Sequence, residues 1–269
     1  QNPSSDDATL GGPGRDENGR IVPNPRFPDM AGLGKRIHAL GLKFGVYSSP
    51  GELTCGGCLG SFDHELLDAQ SYAEWGVDYL KYDLCSYQKK MVSGQHLPDH
   101  LHAYTLMGDA LAAQDRDILY SLCQYGSAGV SAWGDLVGGN CWRTTGDIWD
   151  SWESMSHIGF NQAGLECFAR PGNWNDPDML VVGKVGWGPH LRPSRLTPDE
   201  QYTHISLWCL LNSPLLIGCD LTQLDDFTLN LLKNNEVIAV NQDPLGRQAS
   251  RIKLTDDIQV FAKPMEDGS

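Results

Sequence analysis

Short apolar runs rich in β-branched and aromatic residues alternate along this sequence with longer stretches of helical periodicity. The strand-like runs cover residues 44–47, 77–82, 118–122, 141–144, 174–182 and 215–217. The helix-like stretches cover residues 64–75, 102–113, 149–158, 198–211 and 224–232, and Thr197 is a predicted N-cap. A strand-like run recurs about every 25 to 40 residues, the spacing of βα units around a parallel sheet. The sequence therefore predicts an α/β fold.

The charge balance excludes two classes of partner. The 269 residues include 34 acidic and 20 basic side chains, a formal net charge of −14. Binding to phosphate groups needs clustered Lys and Arg, and the sequence has no such cluster. No apolar run approaches the ~20 residues that a membrane helix needs. We therefore predict no nucleic-acid partner and no membrane partner.

The eight cysteines favour structural disulfides. The one close pair is Cys55 and Cys58, which is typical of a redox motif or of half a zinc site. A zinc site needs a second ligand pair, and none follows at a suitable spacing. Disulfides remain the favoured interpretation, which predicts no metal and indicates an oxidising compartment.

Polar residues follow the strand-like runs, in the place where parallel α/β folds bind ligands. They are Ser48, Asp83, Gln124, Asp147, Asp178 and Asp220. Carboxylates accompanied by Trp and Tyr, without a nucleotide-binding motif, indicate a carbohydrate ligand. Because glycoside cleavage uses two carboxyl groups, these residues predict a glycosidase site.

Three segments supply the strongest candidates, and each has a structural alternative. Lys81 and Asp83 lie on the same side of a strand, either as a cation beside a nucleophile or as a structural ion pair. Arg143 and Asp147 could reach one sugar, unless Asp147 only caps the following helix. Residues 174–179 (WNDPDM) could bind hydroxyl groups or a divalent cation, or could form a turn.

Five motifs in order resemble the strand-end motifs of the family 27 glycoside hydrolases, the α-galactosidase and α-N-acetylgalactosaminidase family. They are Tyr47-Ser48, Thr54-Cys55, Lys81-Tyr82-Asp83, residues 142–147 (WRTTGD) and residues 174–180 (WNDPDML). The resemblance extends from about Arg15 to Gly246 and so covers most of the chain.

The resemblance implies a TIM (β/α)8-type barrel that is incomplete here, containing strands three to eight. Residues 1–248 would be the catalytic barrel portion. Residues 249–269 would be the linker and first strand of a truncated C-terminal antiparallel β-sandwich domain. The family also implies a retaining mechanism, no cofactor, and a secreted, periplasmic or lysosomal location. Whether the protein forms a homo-oligomer is left open by the resemblance.

Matched residue by residue, Asp83 corresponds to the nucleophile of the family and Asp147 to its general acid/base. The implied substrate-binding positions are Tyr47, Cys55, Lys81, Gln124, Tyr125, Arg143, Asp178 and Met179. The implied disulfides are Cys55–Cys85 and Cys123–Cys141.

The sequence departs from the family at Gln124-Tyr125, where many α-galactosidases have Glu-Trp. In the family this loop meets the 2-substituent of the sugar, so the departure leaves the sugar open. We expect hydrolysis of terminal α-D-galactosyl residues. The alternatives are an α-N-acetylgalactosaminide, a β-L-arabinopyranoside, an α-glucan, or a carbohydrate-binding barrel without catalysis.

Overall fold

The computed structural model describes residues 11–186 and 190–269. The chain divides into two compact units, residues 1–140 and residues 141–269. Residues 1–19 have the composition of a loop, and the first ten of them lie outside the described residues.

The first unit is built around three parallel strands. They are β1 (Gly45–Ser48), β2 (Tyr79–Asp83) and β3 (Leu119–Cys123). β2 pairs with β1 on one side and with β3 on the other, and Asp83 stands opposite Cys123. Because all three strands run in the same direction, their carboxyl ends lie at one edge of the sheet.

Helices α1 (Met30–Ala39), α2 (Glu65–Trp75) and α3 (Leu97–Ala112) alternate with these strands. α2 ends at Gly76, whose φ of 77° permits the left-handed C-cap. Aromatic side chains form much of the core between strands and helices: Tyr82 packs edge-on against Tyr104, and the ring centroids are 5.9 Å apart.

The second unit begins with a parallel pair, β4 (Cys141–Arg143) and β5 (Trp174–Asp176), in which Arg143 stands opposite Asp176. Antiparallel pairs follow. They are β6 (Lys184–Val185) with β7 (Arg192–Pro193), and β8 (Ser250–Leu254) with β9 (Gln259–Ala262).

The helices of the second unit are α4 (Trp152–Phe160), α5 (Pro198–Leu210), α6 (Asp226–Leu232) and α7 (Asn235–Asn241). The predicted N-cap Thr197 is confirmed, because its side chain and that of Glu200 form a reciprocal capping box at the start of α5. A hydrophobic core centred on Met155 and Trp208 packs α4 against α5.

Five of the six strand-like runs contain a strand, and the last does not. Residues 215–217 form no strand; Ile217 makes a single parallel bridge to Leu180 and is 47% exposed. Three bounds differ from the prediction by three residues or more: α3 begins at residue 97, α4 begins at residue 152, and β5 ends at residue 176.

The C-terminal segment contains two strands, β8 and β9, where the sequence predicted the first strand of a domain. The proposed domain boundary after residue 248 stays a prediction. Among the described residues, no helix combines the length and apolar character needed to cross a membrane.

Candidate active site

Asp83, the last residue of β2, is held by three hydrogen bonds and is 6% exposed. The hydroxyls of Tyr47 and Tyr125 donate to Oδ2 and Oδ1, each at 2.7 Å. The backbone N–H of Leu84 also donates to Oδ1, at 2.7 Å. Three donors on one carboxylate fix its orientation. Burial and the bond to Asp83 raise the pKa of Tyr47 well above its ordinary value, so this phenol keeps its proton.

A disulfide between Cys55 and Cys85 lies beside this carboxylate, in the pairing that the resemblance implied. The hydroxyl of Tyr47 is 3.5 Å from Sγ of Cys85, and the hydroxyl of Tyr125 is 3.8 Å from Sγ of Cys55. Both sulfur atoms lie close to Asp83, but the disulfide removes them as thiolate ligands. The disulfide therefore belongs to the wall around Asp83.

Lys81 and Gln124 approach the same edge of the sheet. Lys81 shares the face of β2 with Asp83, and the described residues show no ion pair between them. Gln124 directly follows β3 and is completely buried, yet neither its amide oxygen nor its amide nitrogen has a hydrogen-bond partner among the described residues. A buried amide with four unused bonding positions is costly unless a ligand satisfies it.

The second unit carries a separate cluster around Arg143, the last residue of β4. Its Nη2 lies 3.0 Å from Oδ2 of Asp178 and 3.2 Å from Oδ1 of Asp147. The guanidinium and Asp178 are buried, whereas the Asp147 side chain is 68% exposed. Asp147 does not cap the following helix, because Ser151 is the N-cap of α4.

Asp178 is fixed by its backbone as well as by Arg143. Its φ of 85° is unusual for a residue with a side chain. Its N–H donates to Asp176, its Oδ2 accepts from Ile148 N–H at 2.9 Å, and its carbonyl accepts from Trp208 Nε1 at 2.7 Å. These bonds direct the carboxylate towards Arg143.

Met179 follows directly, and its N–H donates to Oδ1 of Asp178 at 2.8 Å.

Of the two remaining polar residues predicted to lie at strand ends, one lies at a strand end and the other does not. Ser48 ends β1 and bonds to Ser61, also through its hydroxyl. Asp220 was wrongly placed at a strand end: it caps the short 3-10 turn Leu221–Gln223, where hydrogen bonds from Thr222 lower its pKa.

Sequence reasoning missed an ion cluster three residues beyond Asp147. Asp150 is buried and accepts from both Arg192 and Arg195. Hydrogen bonds and the positive charges of these two residues hold its pKa well below the ordinary value, despite burial. The signal in the sequence was an unassigned carboxylate three residues after Asp147.

The predicted Cys123–Cys141 disulfide joins residues of different units and stays a prediction; both side chains are buried.

Comparison with known proteins agrees with a glycoside hydrolase of the barrel type. The sequence profile described as Alpha galactosidase A matches residues 4–243. An alpha-galactosidase of Cyamopsis tetragonoloba is 43% identical over 256 residues, which are 94% of this chain and 58% of that protein. The chain therefore belongs to the alpha-galactosidase A family, family 27 of the glycoside hydrolases, and the predicted family is confirmed.

Solved structures of the family show the same fold. The alpha-galactosidase of Saccharomyces cerevisiae with raffinose matches with a TM-score of 0.81 and 31% identity, over 95% of this chain and 61% of that one. A β-L-arabinopyranosidase of Geobacillus stearothermophilus matches with a TM-score of 0.81 and 27% identity, over 94% of this chain and 67% of that one. The predicted TIM-barrel fold class is confirmed, and the chain covers part of it.

Proposed function

We propose that this protein is a retaining exo-glycosidase that removes terminal α-D-galactosyl residues from oligosaccharides or glycoconjugates. The observation that carries the proposal is the Asp83 carboxylate, buried at the end of β2 and oriented by two phenols in a chain of this family. The chain spans 58% of the length of its Cyamopsis relative, so activity is inferred from these residues and from family membership together.

The two carboxylates have environments that suit two different roles. Asp83 attacks the anomeric carbon, and its hydrogen bonds hold the carboxylate in one orientation. Asp147 is exposed at a loop and can exchange protons with the leaving oxygen and then with water. This sequence of two displacements releases a sugar of unchanged anomeric configuration.

By family membership, Lys81, Gln124, Arg143 and Asp178 are the proposed contacts of the sugar that is transferred. The unsatisfied amide of Gln124 supports a contact with a hydroxyl group, because a sugar offers both a donor and an acceptor. Galactose is the favoured glycone, since the Cyamopsis and Saccharomyces relatives are named for it. The Geobacillus relative supports β-L-arabinopyranose as the second candidate, because this sugar is galactose without its hydroxymethyl group.

The disulfide beside Asp83 supports an oxidising compartment, and hence secretion or a lysosomal or periplasmic location.

Proton NMR during hydrolysis of an aryl α-D-galactopyranoside tests the reaction. Early formation of α-galactose, abolished in Asp83→Asn and retained in Asp109→Asn, is the expected result. Asp109 is the matched control because it is an exposed carboxylate on α3. β-Galactose as the first product would contradict retention. Turnover only of an N-acetylgalactosaminide or an arabinopyranoside would keep the mechanism and change the sugar.

Azide distinguishes the two carboxylates. Asp83→Ala with azide should form β-galactosyl azide, because azide replaces the nucleophile and attacks once. Asp147→Ala should form α-galactosyl azide, because azide attacks the intermediate on Asp83. Sugar binding without any turnover in the unmodified protein would instead support the non-catalytic alternative.

A further inference from the structure

Cys58 is a free thiol three residues after Cys55, which is bonded to Cys85. The Cys58 side chain is half-buried. This free thiol is not isolated, because it lies in the same loop as one half of a disulfide. The proposed function uses neither Cys58 nor the spacing of the two loop cysteines.

Cys55 and Cys58 share a tight hairpin loop. The N–H of Thr54 donates to the carbonyl of Cys58 at 2.7 Å, and the N–H of Cys58 donates to the hydroxyl of Thr54 at 3.1 Å. Just outside these bonds, Leu53 and Leu59 form an antiparallel bridge. These contacts close the chain over residues 54–58, so the backbone turns back on itself between the two cysteines.

The two residues between the cysteines are glycines, and they allow this loop to change shape. Gly57 has a φ of 72°, and a side chain at Gly56 would meet no atom within 4 Å. Glycine passes between such backbone conformations at little steric cost. Two cysteines separated by two residues also have the spacing of reversible disulfides. The loop can therefore bring the sulfur of Cys58 to the sulfur of Cys55.

One of the two bonded sulfur atoms is open to attack. Cys55 is exposed, whereas Cys85 is buried at 3% exposure. A thiolate that attacks a disulfide bonds to one sulfur and displaces the other, and access decides which sulfur is attacked. Attack at Cys55 therefore releases Cys85.

The loop stays attached to the end of β2 without help from the disulfide. The Ser86 hydroxyl accepts the N–H of Leu53 at 3.0 Å and donates to the carbonyl of Leu53 at 2.9 Å. The Ser49 hydroxyl donates to the carbonyl of Cys85 at 2.6 Å. None of these bonds involves sulfur, so the disulfide can change partner while the two segments remain in contact.

We propose that Cys58 is a thiol–disulfide exchange site, and that the protein has two disulfide isomers. The first has the Cys55–Cys85 bond and a thiol at Cys58, and the second has a Cys55–Cys58 bond and a thiol at Cys85. The Cys58 thiol loses its proton to water, and its sulfur bonds to the sulfur of Cys55. The Cys55–Cys85 bond breaks, and the Cys85 thiolate takes a proton from water, so no oxidant or reductant is consumed.

The exchange places a thiol beside Asp83. The sulfur of Cys85 lies 3.5 Å from the hydroxyl of Tyr47, which donates to Asp83 at 2.7 Å. It also lies within 4.8 Å of a carboxylate oxygen of Asp83. The second isomer therefore has a titratable group in the wall around this carboxylate. The exchange itself does not rest on the proposed function.

The variant Cys85→Ala tests whether the two sulfur atoms of the loop can meet. After treatment with oxidised glutathione, mass spectrometry should find a Cys55–Cys58 disulfide inside the tryptic peptide 44–81. Cys85→Ala combined with Cys167→Ser is the matched control, because it removes an exposed thiol elsewhere and should form the same bond. Separate glutathione adducts on Cys55 and Cys58 would overturn the inference.

The unmodified protein tests whether the exchange takes place in the folded chain. It is incubated at about pH 8 with a trace of reduced glutathione as catalyst, quenched with acid, unfolded and alkylated. Peptides 44–81 and 82–89 are linked in the first isomer and separate in the second. We expect the second isomer, with alkylated Cys85 and a disulfide inside peptide 44–81, in about 1–10% of the molecules.

Cys58→Ser should abolish the second isomer, whereas Cys167→Ser should leave its fraction unchanged. Absence of the second isomer from the unmodified protein would overturn the inference. An equal fraction of alkylated Cys85 in Cys58→Ser would also overturn it, because that thiol would then come from reduction by glutathione. Peptide mapping does not depend on turnover, so a failure to hydrolyse galactosides would contradict the proposed function and leave this result unaffected.

Discussion

Arg143 and Asp178 form a buried ion pair in which Nη2 of Arg143 lies 3.0 Å from Oδ2 of Asp178. Arg143 ends β4, and Asp178 follows two residues after β5, so the parallel pairing of these strands brings the two residues together. Arg143 also contacts Asp147, which is largely exposed. One guanidinium thus connects a buried carboxylate and an exposed one.

The first prediction compares these two carboxylates. Asp178→Ala should lower the free energy of unfolding by about 3–5 kcal/mol, because it removes the buried partner of a buried cation. Asp147→Ala should lower it by less than about 1 kcal/mol, since an exposed ion pair is screened by water. Urea denaturation measures both, and equal losses would contradict the prediction.

The second prediction concerns the phenols on Asp83. Tyr47→Phe and Tyr125→Phe each remove a donor to this carboxylate and should lower kcat/KM for an aryl α-galactoside about tenfold or more. Tyr202→Phe is the matched control, because Tyr202 is an exposed tyrosine on α5. A change in KM alone would mean that the phenols bind substrate without orienting Asp83.

Much of the fold was predictable because its parallel strands are short, apolar and bounded by turn residues. Residues 215–217 show the limit of this reasoning. They have the same apolar character, but they follow Pro214, lie partly exposed, and form only one β-bridge to the rest of the described chain. An apolar run becomes a strand only where a neighbouring strand pairs with it. The residues of the run alone do not show whether such a neighbour is present.

The sequence predicted which residue types form the candidate site and that they follow strands. It did not predict which side chains contact one another. Tyr125 reaches Asp83 from a left-handed turn with φ of 61°, a conformation that its sequence does not require. Asp150 binds Arg192 and Arg195, which are 42 and 45 residues away along the chain. Such contacts depend on tertiary structure.

The third prediction concerns the disulfide between Cys55 and Cys85. Replacing both by Ser should lower the free energy of unfolding by about 3–4 kcal/mol, because the closed loop joins residues 30 apart in the sequence. Cys167→Ser, at an exposed thiol, should have no such effect. Urea denaturation of the unmodified protein in a reductant should match the double variant; a reductant-insensitive midpoint would contradict this account.

The fourth prediction concerns His204, which is fully buried on α5 against Trp208, with ring centroids 4.1 Å apart. Burial lowers the pKa of His204 from 6.5 to about 3, and Nε2 accepts the N–H of Val181 at 3.1 Å. Below pH 6.5 the unfolded chain therefore binds a proton that the folded protein does not. The stability that this neutral ring contributes is complete above pH 6.5 and is lost as the pH falls towards 3.

Urea denaturation between pH 7 and pH 4 measures this loss. The contribution of His204 to the free energy of unfolding should fall by about 1 kcal/mol per pH unit below pH 6.5. His204→Gln keeps an acceptor for Val181 but does not titrate, so its free energy should fall less steeply with decreasing pH. His102→Gln, at an exposed position on α3, should keep the slope of the unmodified protein. Equal slopes in all three proteins would show that His204 becomes protonated without unfolding.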